Sequence, residues 1–146
     1  MIKSGLITDF YELTMMQGYY LQNHNPRVVF DMFYRTNPFH GGYTIFTGLE
    51  ELIDKLESLS FSEEDIEYLR NLGMFDDKFL AYLSNYRFEG NLYAFEEGTP
   101  AFPGEPLMRI ETNLIDAQLI ESLLLNTVNF QTLVATKASR MSIATN

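Results

Sequence analysis

The feature that most constrains the fold of this chain is the apolar segment from residue 113 to residue 146. Asn113 and Asp116 are typical of a helix start. The apolar residues that follow occupy almost every face of a helix; they are Leu114, Ile115, Leu119, Ile120, Leu123, Leu124, Leu125, Val128, Phe130, Leu133, Val134, Ala135, Ala138, Met141 and Ile143. A helix that is apolar all round is normally buried on all sides. We therefore expect one long helix that is covered either by another subunit or by further chain beyond Asn146.

Composition narrows the class of protein. The chain has 146 residues, of which 46% are hydrophobic, so it can bury a core of ordinary domain size and is not intrinsically disordered. It has no Cys, which excludes a disulfide scaffold and a thiolate metal site. Its net charge of −10 argues against nucleic-acid binding. No apolar run is long enough to span a bilayer and no signal peptide is recognised, so we predict a soluble, cytoplasmic protein without a membrane partner.

Half of the acidic residues lie between Glu50 and Asp77. They alternate with apolar residues at helical spacing, which is typical of helices that expose a charged face to solvent. We predict three such helices, near residues 48–58, 62–72 and 76–85. Ser62 and Asp65 are expected to form a capping box at the start of the second helix.

The N-terminal segment predicts a further helix, from about Asp9 to Leu21. Thr8 is its expected N-cap, because its hydroxyl can accept a hydrogen bond from one of the free N–H groups of the first turn. The expected apolar face of this helix consists of Tyr11, Met15, Gly18 and Tyr19.

Short strands complete the expected fold. Aromatic and β-branched residues predict strands near residues 28–35, 43–46, 92–95, 99–102 and 107–110. Glycine and proline residues break the last three into a small antiparallel unit. The predicted fold class is therefore α+β, with helices and a small antiparallel sheet. We expect residues 1–112 to form this domain and residues 113–146 to form the long apolar helix that leaves it.

No classical catalytic or metal-binding motif is recognised. The sequence lacks the phosphate loop, the dinucleotide-binding fingerprint, the zinc-protease motif and the nucleophile elbow. We therefore assign no catalytic residue and no metal ligand. His24 and His40 lie in polar loops and are interpreted as solvated, and Glu96 and Glu97 are interpreted as part of an exposed turn.

Three side chains are candidates for ligand binding, and each has a structural alternative. Arg35 ends an apolar strand beside Asn37 and a glycine-rich loop, where it can form a forked phosphate contact or a structural ion pair. Tyr11 can stack on a planar ligand or pack in the core. Arg140, one turn after Lys137 in a segment without acids, can face an anion or solvent.

Four segments, in order along the chain, resemble motifs of the nicotinate phosphoribosyltransferase family. They are residues 6–15 (LITDFYELTM), 30–39 followed by 41–43 (FDMFYRTNPF and GGY), 97–107 (EGTPAFPGEPL) and 123–140 (LLLNTVNFQTLVATKASR). The similarity runs from residue 6 to about residue 141. Each motif alone is a weak signal, whereas four in the same order are a specific one.

The resemblance implies an enzyme of NAD salvage that joins nicotinate to 5-phosphoribosyl 1-diphosphate and yields nicotinate mononucleotide and diphosphate. It implies ATP coupling through a phosphorylated His, assistance by Mg²⁺, and a homodimer with its active sites at the subunit interface. By the matching motif positions, Tyr11 is expected against the nicotinate ring in the neighbouring subunit's site. Arg35 is expected near the phosphates, and Arg140 near either the nicotinate carboxylate or a phosphate.

The resemblance also implies a longer protein. Members of the family run to several hundred residues, and their catalytic α/β barrel begins about where this chain ends. The phosphorylated His and the phosphate-binding barrel loops have no counterpart here, so the chain alone is expected to be inactive. Two alternatives stay open: a stand-alone, non-catalytic module that dimerises through residues 114–145, and a related enzyme that acts on nicotinamide or quinolinate.

Overall fold

The computed structural model describes residues 4–145. Over this range the α-helices are Phe10–Leu21 (α1), Leu49–Ser58 (α2), Glu63–Asn71 (α3), Asp77–Ser84 (α4) and Leu114–Ala144 (α5). The β-strands are Arg27–Met32 (β1), Thr44–Ile45 (β2), Gly90–Ala94 (β3), Pro100–Ala101 (β4) and Met108–Asn113 (β5), and a 3₁₀ turn spans Pro38–His40. These elements confirm the α+β class. The division of the chain into residues 1–112 and 113–146 stays a prediction.

Within the described residues, the strands pair in two antiparallel sheets rather than in one. β5 lies between β1 and β3, and β4 pairs with β2. The expectation that the last three strands form a unit of their own is therefore wrong. Pairing in a sheet depends on which apolar faces are buried together, and the buried Met32 of β1 lies opposite the buried Met108 of β5.

β1 is shorter than predicted and does not reach Arg35. Its ladder with β5 ends at the pair Met32 and Met108, and Leu107 N–H donates a last hydrogen bond to the Met32 carbonyl at 2.8 Å. Pro106, the next residue back along the chain, has no N–H with which to continue the ladder. Arg35 consequently lies in the loop after the strand and not at the strand end.

Helix α1 has a different cap and a different buried face from those predicted. Its N-cap is Asp9 and not Thr8. The helix buries Glu12, Leu13 and Met16, and it exposes Tyr11 and Met15. The prediction was wrong because a carboxylate is rarely buried unless hydrogen-bond donors surround it, and the donors that surround Glu12 are not apparent from the helical pattern.

The three acidic helices lie within one or two residues of their predicted positions. The capping box of α3 is confirmed, since Asp65 N–H donates to Ser62 Oγ at 3.1 Å and Ser62 N–H donates to Asp65 Oδ2 at 2.8 Å. Each of these helices buries apolar residues in the core, which are Leu52 and Leu56 of α2, Ile66 and Leu69 of α3, and Phe79, Leu80 and Leu83 of α4.

Helix α5 passes through the core and then continues along the edge of the fold. It begins after Asn113 as predicted, and its first half contributes buried residues as far as Val128. Further along, Thr132 and Thr136 are buried, whereas large apolar side chains on the other sides are exposed: Phe130 by 69%, Met141 by 62% and Ile143 by 66%. Residues 4–145 therefore do not themselves cover this half of the helix. No helix in that range is long and apolar enough to cross a bilayer.

Candidate functional site

An open groove of about 280 Å³ lies between β1, with the loop that follows it, and the first half of α5. Its floor is apolar and includes the buried side chains of Ile110 and Ile120. The half-exposed rings of Phe30 and Phe33 line one wall. The polar lining residues are Asp31, Arg35, Gln118 and Glu121. An apolar floor with a few polar groups is the usual form of a small-molecule site.

Arg35 lines this groove with an exposed side chain. Asp31 lines it as well, but Arg109 holds the Asp31 carboxylate through hydrogen bonds of 2.8 Å to Oδ1 and 2.9 Å to Oδ2. These hydrogen bonds from Arg109 hold the pKa of Asp31 below its usual value. Between residues 4 and 145, no carboxylate forms a salt bridge with Arg35. The structural ion pair is therefore not found there, and the guanidinium is available to an anion.

Tyr11 lies on the exposed side of α1, where the charge of Glu121, a residue that lines the groove, acts on its hydroxyl. Its side chain is 49% exposed, so packing in the core does not describe it. Desolvation raises the pKa of the Tyr11 hydroxyl, and the negative charges of Glu121 and Glu12 raise it further. The hydroxyl consequently stays protonated at neutral pH, and the ring is accessible for stacking on a planar ligand.

A buried carboxylate attaches the helix of Tyr11 to α5. Glu12 is fully buried and accepts hydrogen bonds from the Ser122 hydroxyl at 3.1 Å, from Asp9 N–H at 3.2 Å and from the Thr8 hydroxyl. Burial raises the pKa of Glu12, although the hydrogen bonds from Ser122 and Asp9 act in the opposite direction. Sequence reasoning noted Glu12 only as an acid near the first turn of α1 and missed this network.

The raised pKa of Glu12 predicts that stability falls as the pH rises. The folded protein keeps the Glu12 proton at a pH where the unfolded chain has lost it, so this residue costs folding free energy above about pH 4.3, the usual pKa of Glu. We expect Glu12→Gln, which keeps hydrogen-bonding atoms without the charge, to unfold at a higher urea concentration than wild-type at pH 7. The difference is expected to shrink towards pH 4.

Urea titrations of both proteins at several pH values measure this effect. Glu64→Gln on α3 removes an exposed glutamate and controls for the loss of one negative charge. If wild-type is more stable than Glu12→Gln at pH 7, the carboxylate of Glu12 stabilises the fold as an ion and the prediction is wrong.

A pair of cations lies near the far end of α5. Arg140 Nη1 donates a hydrogen bond to the Phe39 carbonyl at 2.8 Å, and the guanidinium carbon lies 6.0 Å from the centroid of the Phe39 ring. Lys137 Nζ lies 5.7 Å from the same centroid. Neither cation forms a salt bridge with a residue in the described range. Both therefore keep N–H donors that can bind an anion.

Hydroxyl groups on one side of α5 bind the backbone around β2. Thr47 N–H donates to Thr132 Oγ1 at 3.2 Å, Ile45 N–H donates to Thr136 Oγ1 at 2.9 Å, and the hydroxyls of Tyr43 and Ser139 are 2.9 Å apart. Sequence reasoning missed these contacts. The available signal was the spacing of residues 132, 136 and 139, which places three hydroxyls on one helical face.

Glu97 caps a helix from a distant loop. Its Oε1 accepts the N–H groups of Gly48 at 2.6 Å and Leu49 at 2.5 Å, at the start of α2. The turn is exposed as predicted, but this capping role was not foreseen. His24 and His40 are also exposed, as predicted.

The structure brings two of the three candidate residues close to one groove. Glu121 lines the groove together with Arg35, and its charge acts on the hydroxyl of Tyr11. Arg140 follows Glu121 by 19 residues on the same helix, about 28 Å along the axis at 1.5 Å per residue. One small ligand in the groove therefore cannot also contact Arg140 of the same chain.

Comparison with known proteins identifies the family. The nicotinate phosphoribosyltransferase (NAPRTase) N-terminal domain, as a family model, matches residues 6–129. This chain belongs to the nicotinate phosphoribosyltransferase family. Two similar proteins are nicotinate phosphoribosyltransferase pncB2 of Mycobacterium tuberculosis, 40% identical over 140 residues, and nicotinate phosphoribosyltransferase of Bacillus subtilis, 43% identical over 138 residues.

The fold agrees with a solved NAPRTase. The crystal structure of human nicotinic acid phosphoribosyltransferase matches 93% of this chain and 28% of its own length, with a TM-score of 0.86 and 31% identity. The predicted fold, an NAPRTase N-terminal domain, is thereby confirmed. The alignment with the mycobacterial relative covers 96% of this chain and 30% of that protein. The alignment with the Bacillus relative covers 94% of this chain and 28% of that protein. The chain thus spans between 24% and 30% of the length of the curated relatives it matches.

The second and third NAPRTase motifs meet in space. The Tyr34 hydroxyl donates a hydrogen bond to the Ala101 carbonyl, and Gly104 N–H donates to the Tyr34 carbonyl at 2.9 Å. These contacts hold the loop that carries Arg35 against the β4 segment.

Proposed function

We propose that this chain is the substrate-binding N-terminal domain of an enzyme of NAD salvage. The enzyme would make nicotinate mononucleotide and diphosphate from nicotinate and 5-phosphoribosyl 1-diphosphate. The observation that carries the proposal is the groove lined by Arg35, which has no carboxylate partner among residues 4–145, and by Glu121, whose charge acts on the hydroxyl of the exposed Tyr11. This combination suits a sugar phosphate and a flat aromatic acid.

The proposed reaction is a displacement at the ribosyl carbon. The ring nitrogen of nicotinate donates its electron pair to C1 of the sugar, and the bond from C1 to the diphosphate oxygen breaks with its electrons staying on that oxygen. Positive charge develops on the sugar and negative charge on the leaving diphosphate, so a fixed cation near the phosphates stabilises the transition state. Arg35 takes this role in the proposal, Tyr11 stacks on the pyridine ring, and Arg140 binds the nicotinate carboxylate or a phosphate.

The distance along α5 supports a site shared by two subunits. Because about 28 Å of helix separates Glu121 from Arg140, one nicotinate cannot contact both Tyr11 and Arg140 of a single chain. In a homodimer, Tyr11 of one subunit can approach the substrate that is bound near Arg140 of the other. A homodimer is therefore part of the proposal.

Mg²⁺ and ATP enter the proposal through the family resemblance alone. Among residues 4–145, no three His, Asp or Glu side chains converge as ligands for a cation. No step is therefore derived through a metal ion. Neither His24 nor His40 lies in a segment that matches the motif of the His that carries the phosphoryl group in ATP coupling, so neither is assigned to that role.

Turnover by the full-length protein tests the proposed function. Nicotinate, nicotinamide and quinolinate are each incubated with 5-phosphoribosyl 1-diphosphate, with and without ATP, and the mononucleotide is quantified by chromatography. We expect nicotinate to react fastest, with equal amounts of mononucleotide and diphosphate released. A preference for another pyridine would select the related enzyme, and no product from any of the three would refute the proposal.

Tyr11→Ala is expected to lower kcat/KM for nicotinate about 5- to 30-fold, because it removes a stacking surface worth roughly 1 to 2 kcal/mol. Tyr11→Phe keeps the ring and is expected to stay close to wild-type. Steady-state kinetics of the full-length enzyme, with nicotinate varied, compare the two variants. An unchanged kcat/KM in Tyr11→Ala would remove this residue from the site.

A non-catalytic interaction module is the second candidate function. The observation that favours it is the set of exposed apolar side chains on α5, which includes Phe130, Met141 and Ile143. A surface of this kind marks a partner interface or an aggregation liability. Sedimentation of the isolated 146-residue chain distinguishes the two candidates: a clean, stable dimer favours the module, and a monomer that aggregates favours a domain of a larger enzyme.

A further inference from the structure

The loop between β1 and β2 has an unusual backbone at two consecutive residues. Phe39 and His40 both have positive φ, 57° and 52°. Residues other than glycine rarely adopt this left-handed backbone conformation, which costs them about 1 to 2 kcal/mol per residue. Such residues persist only where surrounding contacts hold them, and they are concentrated at functional sites.

This conformation brings two different groups of Phe39 to α5. The Phe39 carbonyl accepts the hydrogen bond from Arg140 Nη1 at 2.8 Å, while the Phe39 ring lies within 6.0 Å of Arg140 Cζ and 5.7 Å of Lys137 Nζ. The loop encloses the guanidinium closely, since a Cβ added at Gly41 would lie 3.3 Å from Arg140 Nη1. One phenylalanine therefore contacts both cations.

The ring of Phe39 lowers the cost of placing these two cations side by side. Lys137 and Arg140 are one turn apart on α5, so their positive charges repel each other. The electron-rich face of an aromatic ring attracts cations. Neither cation has a carboxylate partner within residues 4–145. The ring therefore holds the two cations near each other without neutralising their charge.

We propose that Phe39 is a positioning residue for substrate binding, which acts by holding the guanidinium of Arg140, with Lys137 beside it, towards an anionic group of a substrate. The inference rests on the proposed function and adds to it the residue that sets the position of Arg140. Arg140 uses Nη1 for the Phe39 carbonyl, which leaves the donors on Nη2 and Nε for the anion. A carboxylate and a phosphate share the geometry that these donors recognise.

Kinetics of the full-length enzyme test this role. Phe39→Leu removes the ring and keeps an apolar side chain. It is expected to raise one KM about fivefold, since a cation–π contact at an exposed site is worth up to about 1 kcal/mol. The substrate whose KM rises in Phe39→Leu is expected to be the one whose KM also rises in Arg140→Ala. The kcat of Phe39→Leu is expected to equal that of wild-type. Phe39→Tyr keeps the ring and is expected to retain the wild-type KM.

Measuring KM for both substrates identifies the anion. A rise for nicotinate assigns Arg140 to the carboxylate, and a rise for 5-phosphoribosyl 1-diphosphate assigns it to a phosphate. Tyr68→Leu, which removes a similarly exposed ring from α3, controls for the loss of an aromatic side chain and is expected to leave both KM values unchanged.

A double-mutant cycle separates positioning from a general structural role. Phe39→Leu added to Arg140→Ala is expected to have no further effect on KM, because the side chain through which it acts is absent. The proposal would be overturned if the two substitutions raised KM additively in the double mutant. It would also be overturned by a wild-type KM in Phe39→Leu, by wild-type KM values in Arg140→Ala, or by an equal rise of KM in Phe39→Leu and Phe39→Tyr. A wild-type enzyme without turnover would instead refute the proposed function itself.

Discussion

Replacing Arg35 by alanine is expected to lower kcat/KM for 5-phosphoribosyl 1-diphosphate about 100-fold in the full-length enzyme. A hydrogen bond to a charged group contributes about 1.5 to 3 kcal/mol. The loss is expected at the upper end of this range, because in the proposed reaction the charge on the diphosphate grows as its bond to the sugar breaks. Since Arg35 has no salt-bridge partner among residues 4–145, its removal leaves no acid unpaired there.

Two further variants determine which property of Arg35 matters. Arg35→Lys keeps the charge but loses the planar fork, so an intermediate loss of about tenfold is expected. Arg70→Ala on α3 removes an exposed arginine whose Nε lies 3.7 Å from Asp77 Oδ1. This control variant is expected to keep wild-type kinetics. The assay varies 5-phosphoribosyl 1-diphosphate at saturating nicotinate. Wild-type kcat/KM in Arg35→Ala would show that this side chain does not contact the phosphates.

The largest loss of stability is expected for Phe79→Ala. The Phe79 ring is fully buried, and its centroid lies 6.0 Å from that of Phe75, 5.8 Å from that of Tyr20 and 6.2 Å from that of Tyr82. Truncation leaves a cavity between α1 and α4, which costs about 3 to 5 kcal/mol of unfolding free energy. Phe79→Leu fills most of that volume and is expected to cost less.

Tyrosine signals can follow the unfolding of this cluster. The chain has nine Tyr and no Trp, and two of its tyrosines pack against Phe79. Urea titration monitored by near-UV circular dichroism therefore reports on the cluster directly. Tyr68→Ala, at a position 56% exposed on α3, is the control and is expected to change the unfolding free energy by less than about 0.5 kcal/mol. Equal midpoints for Phe79→Ala and Tyr68→Ala would contradict the prediction.

Elements with local signals were predicted closely from the sequence. The capping box of Ser62 and Asp65 and the start of α5 after Asn113 were both predicted correctly. The acidic helices were also predicted within one or two residues. These signals depend on residues within one helical turn of each other, so the sequence contains them without knowledge of the rest of the fold.

Features that depend on distant residues were not predictable in the same way. The burial of Glu12 requires Ser122, which lies 110 residues away in the sequence. The position of β5 between β1 and β3 requires knowledge of which apolar faces are buried together. Without these contacts, an acid in the first turn of a helix is interpreted as exposed, and neighbouring strands are interpreted as partners.

The candidate site combines both kinds of information. Tyr11 and Arg35 were selected from the sequence, but their proximity to one groove follows from the packing of α1 and β1 on α5. Phe39 was missed because a bulky residue with positive φ has no characteristic sequence pattern, and Gly41 and Gly42 after it suggested only a flexible loop.

The hydroxyl contacts between α5 and β2 fix the rotation of the helix about its own axis. Each residue turns an α-helix by about 100°, so a shift by one position would carry Thr132 and Thr136 away from the backbone N–H groups of Thr47 and Ile45. Apolar packing is non-directional and tolerates small rotations, whereas hydrogen bonds weaken steeply with angle. The exposed side chains of Phe130, Val134 and Met141, which share one side of α5, therefore point in one set direction, and any surface that covers them must approach from that side.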